Sequence, residues 1–143
     1  MTIYLLDENV LRELRDGGNV LVRTWFAGIA DADLRISAMT MFEKRRGAER
    51  LRKSDPDRAS RLIAAMDALE AAYGDRIVAI DGPVAAEWAR LLGLKDKHQR
   101  DRALAATARV HGFVLVTRNV ADVRGCNVRV LDPFQARPVV TTV

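Results

Sequence analysis

The sequence predicts an α/β fold in which helices pack on a mainly parallel β-sheet. Short apolar runs alternate with longer stretches of helical periodicity along the chain, a pattern typical of strands joined by helical crossovers. The chain is rich in Ala, Leu and Val and contains only 6% aromatic residues, which suits helices on a sheet better than a β-sandwich. With 143 residues, of which 49% are hydrophobic, we expect a single domain spanning residues 1–143.

The first half of the chain is predicted to hold two strands and four helices. Leu21, Trp25 and Ile29 recur every four residues and so mark one face of a helix. Asp55 followed by Pro56 is a helix start, because it places a capping side chain before a first-turn proline. The last two helices are expected to form a hairpin. The predicted strands cover residues 2–6 and 34–37, and the predicted helices cover 9–15, 20–29, 38 onward and 56–73.

The second half is predicted to alternate strands with helices. Asp81, Gly82 and Pro83 open one helix, and Gly112 ends the next. Residues 113–116 are apolar throughout, as expected of a buried parallel strand. Strands are predicted at 77–80, 113–116 and 128–131, helices at 82–92 and 101–110, and the tail after about residue 134 shows no clear periodicity.

Composition excludes several kinds of site. A single cysteine excludes an intrachain disulfide and a multi-cysteine zinc site. Only two histidines are present, so a metal is expected to be bound by oxygen, which points to magnesium or manganese. No signal peptide or apolar run of membrane-spanning length is found, and we expect a cytoplasmic protein without a membrane partner. The net charge of +4 leans weakly towards a polyanionic partner.

Several polar side chains lie at or near predicted strand ends. Asp7 ends the first strand, Thr117 and Asn119 follow the strand at 113–116, and Asp122 lies one turn beyond. Asp101 opens the helix that leads into that strand. Because ligands bind at the carboxyl ends of strands in an open parallel sheet, these acids are expected to converge on one edge.

Each acid also has an ordinary structural role open to it. Asp7 and Asp101 could be helix N-caps, and Asp122 could be a turn acid. Glu43 could be a surface ion partner for the basic residues that follow it. Taken singly, these roles are the better interpretation. Together, several carboxylates are what a hard divalent cation requires, and such a cation could promote cleavage of a phosphodiester.

Two basic runs could bind the phosphates that flank such a site. A solvated helix face is the ordinary alternative for each of them. The first run contains Lys44, Arg45, Arg46 and Arg50, the second contains Lys95, Lys97, Arg100 and Arg102, and Arg118 lies beside Thr117.

Four segments of the sequence, in order, resemble the motifs of PIN domains. They are residues 5–11 (LLDENVL), 37–47 (SAMTMFEKRRG), 101–108 (DRALAATA) and 117–122 (TRNVAD). The chain is most similar to VapC-type toxins of type II toxin–antitoxin systems, including the FitB-like branch. Each motif is weak alone, but the four in sequence span nearly the whole chain.

The resemblance implies a three-layer α/β/α domain with a central, mainly parallel sheet. It implies an endoribonuclease in which magnesium or manganese activates water to hydrolyse RNA phosphodiesters. Relatives usually dimerise and form hetero-oligomers with a small VapB-like antitoxin, so DNA would be contacted only through that partner. The implied catalytic and metal-binding residues are Asp7, Glu43, Asp101 and Asp122, the supporting polar residues are Thr117 and Asn119, and the candidate RNA phosphate contacts are Lys44, Arg45, Arg46 and Arg118.

Two positions depart from the family pattern. Glu8 replaces the usual Thr after the first Asp, and Val123 replaces the more frequent Phe, for which only altered packing is expected. Glu8 could compete for the metal or could pair with an arginine. We favour the second interpretation, because adjacent side chains leaving a strand diverge.

Two other function classes compete with the nuclease. Glu8 and the basic runs also suit a weakly active or inactive PIN-fold module that acts mainly in a regulatory complex with an antitoxin. A phosphoacceptor receiver domain is rejected, because Asp55 and Asp57 lie at a helix start and no lysine follows Lys97.

Overall fold

The fold is built on a six-stranded sheet with the strand order β3-β2-β1-β4-β5-β6. The structure is a computed structural model that describes residues 1–143. All neighbouring strands are parallel except β6, which runs antiparallel to β5. The strands are β1 (Tyr4–Leu6), β2 (Leu34–Ser37), β3 (Ile77–Val78), β4 (Val114–Val116), β5 (Arg129–Leu131) and β6 (Thr141–Thr142).

Six α-helices connect these strands, and side-chain caps fix the start of several of them. The side chains of Ser37, Asp55 and Asp81 each accept a hydrogen bond from a backbone N–H in the first turn that follows. The helices are α1 (Glu8–Leu11), α2 (Val20–Ala27), α3 (Ala38–Leu51), α4 (Pro56–Tyr73), α5 (Gly82–Leu92) and α6 (Gln99–His111). Short 3₁₀ turns cover Arg12–Leu14, Asp31–Asp33, Gly74–Arg76 and Val120–Val123.

Alternation along the central strand separates two apolar cores. Leu6 of β1 packs into a cluster with residues of α1 to α4, whereas Leu5 packs into a cluster with residues of α6. Successive side chains of a strand point to opposite faces of the sheet, so the helices form a layer on each side. The predicted α/β/α arrangement with a mainly parallel sheet is confirmed.

The predicted hairpin of α3 and α4 is also present. The guanidinium of Arg45 on α3 donates to Glu70 Oε1 at 2.9 Å and to Asp67 Oδ1 at 2.7 Å, both on α4. Arg45 therefore ties the two helices together. On α3, Met41 is buried against the sheet side of the helix, whereas Phe42 is 56% exposed.

The helices and strands end at residues that differ from the predicted ones where strand pairing or packing sets the boundary. Strands β1, β3, β4 and β5 are shorter than predicted, and the helix predicted at 9–15 is a short α-helix followed by a 3₁₀ turn. Helix α6 begins at Gln99, two residues before the predicted start at Asp101. The tail, which shows no clear periodicity, contains β6 paired with β5. No helix is long and apolar enough to cross a membrane.

The register of the two central strands positions the polar edge of the sheet. Leu6 of β1 lies opposite Val116 of β4, so the residues that follow them, Asp7 and Thr117, are neighbours. The backbone N–H of Asp7 donates to the carbonyl of Val116 at 2.9 Å. Residues 7 and 117 therefore meet although 110 positions separate them.

Candidate metal centre

Asp7 is a buried carboxylate held by three donors. It is only 1% exposed. Its Oδ2 accepts hydrogen bonds from Thr117 Oγ1 at 2.8 Å and from Asn9 Nδ2 at 3.2 Å, and its Oδ1 accepts from the backbone N–H of Glu8 at 2.6 Å. Burial raises the pKa of Asp7, and this outweighs the lowering by the Thr117 hydroxyl and the Arg100 guanidinium. Asp7 is thus both the N-cap of α1 and a carboxylate poorly solvated by water.

Beside Asp7, a second cluster brings Asp101 and Asp122 together with His98. We call these three residues the His98 cluster. Asp101 lies in the first turn of α6 without being its N-cap and is 8% exposed. His98 Nδ1 lies 4.0 Å from Asp101 Oδ2 and 3.6 Å from Asp122 Oδ1. One donor atom from each of the three residues lies within 4.8 Å of the others. Asp122 is placed there by a hydrogen bond from its backbone N–H to the carbonyl of Asn119, at 3.1 Å.

Arg100 joins the two groups of acids. Its Nη1 lies 3.9 Å from Asp7 Oδ1, and its Nη2 lies 3.3 Å from Asp101 Oδ1. The guanidinium therefore supplies the positive charge that two neighbouring buried carboxylates require. A divalent cation bound to the same carboxylates would compete with it.

We expect replacement of Arg100 by glutamine to strengthen divalent-metal binding. Removing the competing cation should tighten the dissociation constant for Mn²⁺ about threefold to tenfold, the range of one partly exposed ion pair. Isothermal titration of the metal-free protein measures this constant. Arg46→Gln, an exposed residue without an ion partner in the chain, is the matched control, and an unchanged or weaker constant in Arg100→Gln would contradict the expectation.

Of the two predicted supporting residues, Thr117 contributes its side chain and Asn119 contributes its backbone N–H. Thr117 acts through its hydroxyl, as described. Asn119 acts through its backbone, since its N–H donates to Thr117 Oγ1 at 3.0 Å. Asn9, which the motif contained but which was not predicted as a site residue, supplies the amide: Nδ2 reaches Asp7, and Oδ1 accepts from the backbone N–H of Arg118 at 3.3 Å.

Glu43 is not part of the His98 cluster (His98, Asp101 and Asp122). It lies on the wall of a groove that reaches Arg100. The groove has a volume of about 650 Å³ and runs along α3 and α4. The Glu43 carboxylate is half-buried and makes no hydrogen bond or ion pair within the chain. The polar residues lining the groove are Glu8, Arg12, Glu43, Lys44, Arg50, Arg58 and Arg100.

Glu8 pairs with cations, as the favoured interpretation expected. It contacts the guanidinium of Arg12, and its Oε1 lies 3.2 Å from Lys44 Nζ. Although burial acts to raise the pKa of Glu8, the contacts with Arg12 and Lys44 outweigh it and lower that pKa. The extra carboxylate is therefore neutralised by its neighbours.

The predicted phosphate contacts are placed unevenly. Lys44 lines the groove but is paired with Glu8, and Arg45 is engaged with α4. Arg46 and Arg118 are exposed, and the Arg118 guanidinium lies 4.8 Å from the centre of the Phe134 ring. The sequence did not single out the other groove cations, Arg12 and Arg58, because they come from separate elements that only the fold brings together.

The donor set fits a divalent cation. Within the chain, the Asp122 carboxylate accepts no hydrogen bond, and Asp101 accepts one only from Arg100. Their remaining lone pairs, together with the His98 imidazole, face one another at separations that one ion can bridge. His98 is a residue that sequence reasoning missed, and its position three residues before Asp101 was the available signal.

Comparisons with known proteins agree on one family. The family model of the PIN domain matches residues 4–121. Toxin FitB of Neisseria gonorrhoeae is 30% identical over 140 residues, covering 92% of this chain and 99% of that protein. The crystal structure of FitAcB from Neisseria gonorrhoeae superposes with a TM-score of 0.80 at 28% identity, covering 93% of this chain and 99% of the other. DNA-bound VapBC from Salmonella typhimurium has the same fold, with a TM-score of 0.70 at 20% identity and coverage of 93% and 99%.

Proposed function

Because the chain belongs to the PIN-domain family, we propose that it is a metal-dependent endoribonuclease, the toxin of a FitB- or VapC-like toxin–antitoxin pair. The observation that carries the proposal is the convergence of Asp7, Asp101 and Asp122 at one edge of the sheet, next to a basic groove. Buried carboxylates without full internal pairing are costly unless a cation binds them.

In this proposal, some residues of the site would bind the metal and others would position those ligands. Asp7, Asp101 and Asp122 would hold magnesium or manganese, with Glu43 approaching from the groove wall. A bound ion of this kind polarises a phosphoryl oxygen and lowers the pKa of water. Thr117 and Asn9 would position Asp7 through the hydrogen bonds to its Oδ2.

The groove offers a path for the RNA backbone. Arg50 and Arg58 line it without an ion partner in the chain, so their guanidinium groups are free to contact phosphates. Phosphates held there would place the scissile bond beside the acids at the end near Arg100.

A toxin of this type would act with a partner. The similarity to a protein named Toxin FitB supports a VapB-like antitoxin that inhibits the enzyme. We propose a homodimer that assembles with this antitoxin and contacts DNA only through it, in the cytoplasm where its RNA substrate is found.

The weakly active alternative loses its main support. It rested on Glu8 and on the basic runs. The Glu8 carboxylate is paired with Arg12 and Lys44, so it is not free to weaken the metal site, and the basic runs suit RNA binding equally well.

Two experiments test the proposal. Purified protein should cleave RNA with Mg²⁺ or Mn²⁺ and stop when EDTA is added. Expression in a bacterial host should arrest growth, and co-expression of a cognate VapB-like antitoxin should relieve the arrest. Absence of cleavage, or cleavage that survives EDTA, would refute the nuclease assignment.

We expect the groove arginines to set RNA affinity. In the Arg50→Ala/Arg58→Ala double variant, losing two phosphate contacts should lower the slope of log affinity against log salt by about 1.4. Binding of a catalytically inactive background to single-stranded RNA, measured between low and moderate salt, gives the slope. Arg23→Ala on α2, outside the groove, should leave the slope unchanged, and an unchanged slope in the double variant would exclude the groove as the RNA path.

A further inference from the structure

We infer that His98 is a nitrogen ligand of the metal, which makes this centre prefer Mn²⁺ over Mg²⁺. The inference rests on the proposed function, because it concerns the same metal site. It adds an imidazole to a set of ligands that the sequence predicted to be oxygen only.

The separations between donors suit a shared ion. At metal–ligand distances of about 2.1 Å, adjacent donors of an octahedral site lie about 3 Å apart and opposite donors about 4 Å apart. His98 Nδ1 lies 3.6 Å from Asp122 Oδ1 and 4.0 Å from Asp101 Oδ2. Both distances exceed a hydrogen bond and fall within the range for two ligands of one cation.

No hydrogen bond within the chain explains the position of the His98 side chain. His98 precedes α6 as the N-cap residue but makes no capping hydrogen bond with its side chain. Its backbone is left-handed, with φ 57° and ψ 35°, a region that costs a residue with a Cβ about 1 kcal/mol. The side chain is 43% exposed and donates no hydrogen bond within the chain. This unusual backbone holds the imidazole next to two carboxylates.

An imidazole ligand changes which cation is favoured. Mg²⁺ keeps oxygen ligands and gives up its water reluctantly, whereas imidazole suits transition-metal ions. Among the first-row transition ions, Mn²⁺ binds mixed nitrogen and oxygen sites most weakly, so the expected gain from the His98 nitrogen is modest. Replacing the imidazole should therefore reduce Mn²⁺ affinity more than Mg²⁺ affinity.

Pulsed electron paramagnetic resonance of the Mn²⁺-loaded protein tests the assignment directly. The full chain is prepared without a histidine tag and loaded with Mn²⁺ alone. A coordinated imidazole gives nitrogen hyperfine coupling, which we expect in the wild type and expect to vanish in His98→Asn. Asparagine is chosen because it tolerates the left-handed backbone better than most residues.

The chain offers a matched control. Its other histidine, His111, lies at the opposite end of α6 and stacks on Phe113. His111→Asn should keep the nitrogen coupling. By calorimetry, His98→Asn should weaken Mn²⁺ binding about tenfold and Mg²⁺ binding by less than about threefold.

The outcomes separate this inference from the proposed function. If Asp101→Asn abolishes Mn²⁺ binding while the wild type shows no nitrogen coupling, the carboxylate site stands and the His98 assignment fails. Coupling that persists in His98→Asn also overturns the assignment. A wild type that binds no Mn²⁺, with circular dichroism confirming that it is folded, overturns both.

Discussion

Replacing Asp101 by asparagine is expected to lower the rate of RNA cleavage about a thousandfold, a loss of about 4 kcal/mol of transition-state stabilisation. Asp101 lies between the other two acids. It contacts Arg100, which also approaches Asp7, and it lies near His98, which also approaches Asp122. Asparagine keeps the shape of the side chain and removes its charge. The fold should therefore survive while the centre loses the carboxylate at its middle.

Single-turnover cleavage of a defined RNA at saturating Mg²⁺ measures this effect. Asp75→Asn is the control, because Asp75 is exposed and makes no ion pair in the chain. It should cleave at the wild-type rate. If Asp101→Asn retains more than about a tenth of the wild-type cleavage rate, RNA cleavage does not depend on the carboxylate site.

Replacing Thr117 by valine should lower both stability and activity. The near-isosteric change removes the hydroxyl that donates to Asp7 Oδ2 and accepts from the backbone N–H of Asn119. Leaving buried polar groups without partners should cost about 2 kcal/mol of the free energy of unfolding. A less firmly positioned Asp7 should also reduce cleavage about tenfold. Urea unfolding of the metal-free protein and the single-turnover assay give the two values.

Thr107→Val is a matched control for that experiment. Thr107 is also fully buried, but its hydroxyl donates to the carbonyl of Ala103 one turn back in α6. That carbonyl keeps its helical hydrogen bond after the change, so the loss should stay below about 1 kcal/mol with cleavage unaffected. Equal losses in the two variants would show that the hydroxyl of Thr117 has no special role.

The fold was predictable where local chemistry decides it. The helices that begin after Ser37, Asp55 and Asp81 start at or within one residue of the predicted positions, because capping and proline act within one turn. Strand ends depend on which neighbour they pair with, so β3 is two residues shorter than predicted. The two residues of β6 carry no periodicity, and only their pairing with β5 makes them a strand.

The acidic site was predictable in part. Placing acids at the carboxyl ends of parallel strands correctly brought Asp7 next to Thr117, and Asp101 and Asp122 also meet. The positions of Arg100 and His98 beside these acids were not predictable, because they depend on how the first turn of α6 is oriented. In the structure His98 is the N-cap residue of α6, and Asp101, three residues later, lies in the first turn of the helix.

Pairing of β1 with β4 also decides when in folding the site can exist. A nascent chain that has reached Asp101 already contains Asp7 but lacks the Thr117 hydroxyl that holds it. Contacts between residues so distant in sequence form late, because the intervening chain must first lose its conformational freedom. The acids are therefore assembled only when the domain closes.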